Sequence, residues 1–549
     1  MCIERGKHGF GDQSRGVTLR LSSTDKSLRI FKCLCDNGRQ GVRRIAQQTG
    51  FSKSSVHRLK QAMERRGRHP ESWLWETEEG RGWLTRLVVA TVYTFGLKRG
   101  VGVDTLSEFF ARLRLDTQVG CSPCALRRVM QTVVATAVKT AETWEQDAVA
   151  AGEVREIIGG VDETFLERMM LVFQDLPTGY LVLEDIADDR TFATWKALVE
   201  ARLKALGTEV LYLVSDRAKA LIQLAEQGLA CLSMPDFFHC MHDLVKSYSL
   251  AIGQRLRHAQ QELTKAQETL ARHQGPSQID QGNRAVKALV EARQVEVTRW
   301  EEAHNTYRDH LETLSLTLHP FRIADSAPQT SAQVESQLKA TIEAIAALAQ
   351  RHQLPARDDA MTKVGKQVPA LAALVDFWWQ GVHQDLEPFL LSPRWRRWVY
   401  EGLLPLVYWE HQVAHTRCAR RKAKIRQALE AVQASFHTHA LTKQLAPRVL
   451  EEWKAWAIQR TKAFQRTSSA VEGRNGYLSQ MHHNHRGLPR RRYKVWTILH
   501  NFDCRASDGT TPASRFFRRT FPDLFETVLS HIETLPQPRR RKHQVVLSH

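Results

Sequence analysis

The chain has 549 residues, enough for three or four domains, and its 42% apolar and 25% charged residues exclude wholesale disorder. Lys and Arg number 78 against 59 Asp and Glu, a formal charge of +19 that suits a polyanion, nucleic acid first. The longest apolar-rich stretch, residues 87–97, is too short to span a bilayer and the first residues lack an apolar leader, so a cytoplasmic protein is expected.

Residues 1–23 read as a flexible N-terminus. Residues 24–68 then show three short helices. The first is apolar at Leu28, Phe31 and Leu34 or Cys35, and the second at Val42, Ile45 and Ala46. A tight turn through Gly50 follows, with Ser52 placed to cap a third helix apolar at Val56, Leu59 and Met63. This spacing predicts a helix-turn-helix whose outer face, Lys53, Ser54, His57 and Arg58, enters a DNA major groove. Residues 69–152 read as all-helical. Leu106, Phe109, Phe110 and Leu113 form one amphipathic face, and a helix opened by Ser122-Pro123 carries Leu126, Val129, Met130 and Val133. Arg127 and Arg128 near its start fit either a second DNA-reading helix or packing between domains.

Residues 153–235 change period. Three strands, a helix, a fourth strand and a helix follow in order, which is the ribonuclease H-like order and predicts an α/β core inside a mainly α-helical multidomain chain. Residues 236–464 return to helix. Apolar residues from Val245 to Leu270 and from Val297 to Leu318 keep a heptad seam on either side of a turn-rich break, the pattern of a long antiparallel hairpin. Further helices are predicted near 331–352, 370–386, 394–434 and 447–464. Residues 465–530 read as the second part of the core. Residues 531–549 form a basic tail, PQPRRRKHQ, able to touch phosphates.

The chemistry centres on acids. Asp162 sits in GGVDETF on a strand otherwise built for burial, where a carboxylate is costly unless paired or holding a metal. Asp216 ends the fourth strand in LVSD. In this strand order the first and fourth strands are neighbours, so the two carboxylates can converge and offer the oxygen ligands Mg²⁺ or Mn²⁺ prefers. Glu472 lies at the start of a helix after a small-residue turn, with Arg474 and Asn475 beside it as candidates to hold a scissile strand. Arg490, Arg491 and Arg492, in a His- and Arg-rich string, suit a phosphate-contacting loop.

The cluster Asp236, His239, Cys240, His242 and Asp243 reads either as a zinc site or as a packed helix start. The absence of a second ligand pair at standard spacing favours the helix start. The nine cysteines form no framework and read as reduced thiols.

The blocks GGVDETF, LVSDRAKAL, MPDFFHCMHDLVK and SSAVEGRNGYLS resemble the DDE transposases of bacterial insertion sequences, in a branch with a large helical insertion before the catalytic Glu. The resemblance covers most of the chain and implies Asp162, Asp216 and Glu472 as catalytic and metal-holding acids. It also implies two Mg²⁺ or Mn²⁺ ions, transposon-end and target DNA as partners, and a homodimer or higher multimer on DNA. Cleavage and strand transfer would then be metal-dependent phosphodiester chemistry. Two alternatives share the fold: a domesticated DNA-binding regulator, and a nuclease without strand transfer.

Overall fold

A computed structural model describes residues 23–37, 40–67, 69–152, 154–273, 280–355, 357–485 and 493–538. The chain divides into two compact units. The first takes residues up to 142 together with those from 521 onward, and the second takes 143–520. Most of residues 1–23, the break at 274–279, Arg490 to Arg492 and the basic tail from 539 lie outside the described residues.

The first unit opens with α1 (Ser23–Asn37), α2 (Val42–Thr49) and α3 (Lys53–Arg66) around Ile30, Ile45, Ala46, Val56 and Leu59. Gly50 takes the left-handed conformation, φ 71°, that ends α2, and Ser52 accepts a hydrogen bond from the Ser55 N–H at 3.2 Å to start α3. The inner faces of α2 and α3 are those predicted. In α1 the face is turned by about one residue, because Ser27 occupies a buried position that apolar counting passes over. Next come α4 (Glu78–Thr91), α5 (Val103–Arg112) and α6 (Pro123–Ala150). Leu106 and Phe110 are buried on α5, but Phe109 and Leu113 are exposed, so only half of the predicted face is covered. The predicted apolar residues of α6 are all buried. Residues 521–530, predicted as core, belong instead to this first unit, where Arg86 pairs with Glu526 at 2.7 Å.

The second unit is built on one sheet. Its strands are β1 (Arg155–Leu166), β2 (Arg168–Asp175), β3 (Leu181–Ala187), β4 (Thr208–Ser215) and β5 (Leu232–Pro235), in the order β3-β2-β1-β4-β5. The first three are antiparallel neighbours, while β4 pairs parallel with both β1 and β5. Sequence reading stops at four strands, since β5 has only four residues and too little alternation to register. Between β3 and β4 runs α7 (Phe192–Leu206), and α8 (Lys219–Gln223) precedes β5.

The insertion begins with α9 (Phe237–His273) and α10 (Asp280–Thr317), an antiparallel pair cored by Ala259, Val297, Trp300 and Ala303. Two seam positions differ from prediction: Leu244 is buried and Val245 exposed, and Ala303 rather than His304 fills the interface. Then come α11 (Ser331–Arg351), α12 (Asp358–Leu386), α13 (Pro393–Trp398), α14 (Leu404–His415), α15 (Ala419–Thr438), α16 (Ala440–Gln444) and α17 (Pro447–Lys462). Pro369 lies inside α12, so the helix starts a full three turns before the predicted 370. The predicted helix over 394–434 carries a π turn at Val399–Leu403 and is broken only at residues 416–418. The chain returns to the sheet with α18 (Ser469–His485) and α19 (Tyr493–Asp503), followed by α20 (Pro512–Phe516). Helix α21 (Leu524–Ser530) lies in the first unit.

Candidate active site

The site grows from two strand ends. β1 and β4 run parallel with Gly159 opposite Leu213 and Gly160 opposite Val214. Continuing that register by two residues sets Asp162 level with Asp216, which leaves β4 exposed at its carboxyl end. At this corner Arg217 holds a left-handed φ of 63°. The Ala218 N–H donates to Asp216 Oδ1 at 2.8 Å, orienting the carboxylate.

The third acid arrives from far along the chain. Helix α18 lies against β1, and the second glycine of GGVDETF permits that approach. A Cβ on Gly160 would meet Leu176 at 2.6 Å and Val471 at 3.0 Å. Val471, Leu478 and Met481 form the buried face of α18. Asn475, one turn after Glu472, donates from Nδ2 to Asp162 Oδ2 at 2.7 Å. Burial first, then the Glu472 carboxylate and more weakly Asp216, push the Asp162 carboxyl up to about 7. Three acids from separate segments therefore share one electrostatic neighbourhood.

The insertion leaves and re-enters beside that point. Buried Asp236 accepts from Ser468 Oγ at 2.5 Å and from the Phe238 N–H at 2.7 Å, and the Phe237 N–H donates to the Arg466 carbonyl at 3.0 Å. The Tyr212 hydroxyl on β4 donates to the Ala463 carbonyl and accepts from the Gln465 N–H, each at 2.8 Å. These ties hold the first turn of α9 beside the first turn of α18. His239 thereby reaches Glu472, Nε2 to Oε1 3.3 Å, a contact that sequence reading did not anticipate.

Arg474 and Asn475 are both buried, so neither presents to a DNA strand as the sequence suggested. The Arg474 guanidinium is bidentate on Glu184 of β3, at 2.5 and 2.8 Å, and Thr497 on α19 donates to the same carboxylate at 3.0 Å. The physical reason is that an unpaired Glu184 inside the sheet would be costly, and α18 supplies its partner. Neighbouring acids are likewise engaged. Glu163 faces α7, accepting from Trp195 Nε1 at 3.3 Å, although it still lies within the field of Asp216. Asp185 accepts from the Tyr493 hydroxyl, and Asp189 accepts from the Thr191 N–H at 2.9 Å just before α7.

The other members of the His- and Cys-containing segment point around α9. Cys240 donates to Gln367 at 2.7 Å, His242 stacks on Phe238, and Asp243 pairs with Lys363 at 2.9 Å. Among the described residues no group of three His, Cys, Asp or Glu side chains is arranged as a ready ligand shell for one ion. In the first unit Lys53, Ser54, His57 and Arg58 are all exposed on the face of α3 opposite Val56 and Leu59, where a groove-reading helix needs them.

Comparison with protein families gives two matches. Residues 23–67 are similar to the IclR helix-turn-helix domain, which supports a DNA-binding domain in α1–α3. Residues 399–544, which include α18, are similar to a family of unknown function, DUF6399. No curated protein matches the chain. Among the described residues, no helix is long and apolar enough to cross a membrane.

Proposed function

We propose that the protein is a DDE transposase, with a ribonuclease H-like core that cuts transposon ends and joins them to target DNA. The observation that carries the reading is the 2.7 Å bond from Asn475 to Asp162, which pins the helix bearing Glu472 to the strand bearing the first acid. The strand order 3-2-1-4-5, with acids on the parallel central pair, supports it further.

The donor set fits Mg²⁺ or Mn²⁺. It is carboxylate only, it is half-open, and Glu472 and Asp216 disfavour the charge of Asp162 until a cation arrives. Mg²⁺ commonly takes one or two carboxylates and completes its shell with water and phosphate, so sites of two protein ligands each suit it better than a closed shell. Asp162, Asp216 and Glu472 would together hold the ions. Bound there, the ions supply Lewis acidity at the attacking and leaving oxygens of a phosphodiester. The protein's own part is positional. Asn475 fixes one Asp162 oxygen, the Asp236–Ser468 contact fixes the start of α18, and His239 holds the Glu472 carboxylate toward the corner.

DNA affinity comes from α3 and the surplus of positive charge, and both ends must be held at once, which implies a multimer on DNA. Incubating the full chain with Mg²⁺ and duplexes carrying the terminal repeats that flank its gene tests the reading. Joined products are expected. Cleavage without joining would make it a nuclease, and binding without cleavage a DNA-binding regulator.

A further inference from the structure

The insertion carries more than a linkage between the second and third acids. Its helix α12 faces the Asp216 corner across a cleft lined by Arg217 and Ile222 on one side and by Asp359, Thr362, Lys363, Lys366 and Gln367 on the other. Asp359, Lys363 and Lys366 recur at helical spacing, so one face of α12 presents them together. The cleft adjoins the acids: Arg217 directly follows Asp216, and the field of Asp216 is felt at Lys363.

The charges do not cancel. Asp243 pairs with Lys363 at 2.9 Å and Asp359 in the lining offsets one more cation, so of Arg217, Lys363 and Lys366 one positive charge is left over in the cleft. Arg217 is held at its backbone by an N–H bond to Ser215 Oγ at 3.1 Å, and its guanidinium makes one long bond, 3.4 Å, to the Ser233 carbonyl. That leaves donors of its planar fork for an anion. A left-handed φ of 63° at a non-glycine residue is a strained conformation, and here it sets Asp216 and Arg217 on one corner. A guanidinium, an ammonium and the Thr362 hydroxyl converging on one cleft are donors suited to phosphate.

We propose that this cleft holds the DNA phosphodiester backbone as the strand leaves the acidic corner, with Arg217 and Lys366 as the phosphate-binding residues. The inference rests on reading that corner as a strand-processing site. It assigns α12 the role of a wall against which the substrate strand is held.

The test measures binding of a duplex of unrelated sequence to the full chain, without divalent cation, as a function of salt. Each phosphate contact adds about 0.9 to the slope of log affinity against log salt. Lys366→Ala and Arg217→Ala are each expected to weaken binding roughly three- to tenfold near 0.1 M salt and to lower the slope by about 0.9, and Lys366→Arg to restore it. Arg448→Ala removes the same charge from an exposed site elsewhere on the insertion and is expected to change neither. Millimolar inorganic phosphate is expected to compete only weakly.

Unchanged affinity and slope in both cleft variants would overturn the proposal. So would tight, cleft-dependent binding of inorganic phosphate with duplex binding intact, which would mark a small-anion site. Because no cleavage is involved, a chain that binds DNA through the cleft yet never cuts refutes the transposase reading alone. A chain that cuts normally with both cleft variants indifferent refutes the cleft alone.

Discussion

The helix-turn-helix and the acidic corner place their functional side chains in opposite ways. On α3 the residues proposed to face DNA are exposed, and the core of Ile30, Ile45, Val56 and Leu59 stands without them. At the corner, Asp162 is half-buried on the central strand, its carboxyl pushed up to about 7 by burial and by Glu472. A reading face can be added to a stable fold at little cost, whereas a cluster of acids on a buried strand is built against the stability of its own sheet. Substitutions should therefore change binding in the first region with little effect on folding, and change folding and chemistry together in the second.

The largest effect on stability is expected at the ion pair beneath the corner. Arg474→Ala would leave Glu184 buried and unpaired, a loss of about 3–5 kcal/mol. Hydrogen exchange read on β3 and α18 should accelerate while exchange in α1–α3 stays as it was. Protection unchanged in β3 would mean that Glu184 is relieved in some other way and that the corner is not under this constraint.

Asp162 itself should show the opposite sign. Its folded pKa of about 7 lies above the unfolded value near 3.9, so the folded state holds the extra proton between those limits. The stabilisation this provides is complete below about pH 4 and is lost as pH rises through 7. Asp162→Asn should therefore raise stability by about 1–3 kcal/mol at pH 8 and leave it nearly unchanged at pH 4, measured by urea unfolding without divalent cation. A variant less stable than the natural chain at pH 8 would contradict the idea that this acid is held against its preference.

In the first region the expected effect is smaller. Ser52→Ala removes the 3.2 Å cap on α3 and should cost about 1 kcal/mol, lowering the melting temperature of the DNA-binding unit with little change in duplex affinity well below it. A loss of affinity as large as that from Arg58→Ala would show that α3 reads DNA through its start rather than along its outer face.

Much of this was legible in the residues, for reasons that also explain the gaps. The faces of α2 and α3 and the four longer strands follow from apolar periodicity, and the two aspartates stand out because acids interrupt or end buried strands. The pairing of β1 with β4 follows from strand order. Periodicity failed where burial is polar or the element is short: Ser27 turned the predicted face of α1, β5 has four residues, and Pro369 hid the first three turns of α12. Arg474 was misread because a buried ion pair looks in sequence like any two surface charges, and nothing near Arg474 names Glu184 as its partner. The His239 contact with Glu472 was equally hidden, since it depends on both ends of the insertion meeting.

The central claim is that Asp162, Asp216 and Glu472 together hold the catalytic cations. The most direct test is cleavage of end DNA by the full chain in Mg²⁺, beside Asp162→Asn, Asp216→Asn, Glu472→Gln and Glu472→Cys. Each variant should lose on the order of 10³-fold in rate while duplex binding through α3 persists. The thiolate of Glu472→Cys should recover activity in Mn²⁺ but not in Mg²⁺, because sulfur suits the softer ion. Cleavage by Glu472→Gln at the natural rate, or by any chain in the presence of EDTA, would contradict it.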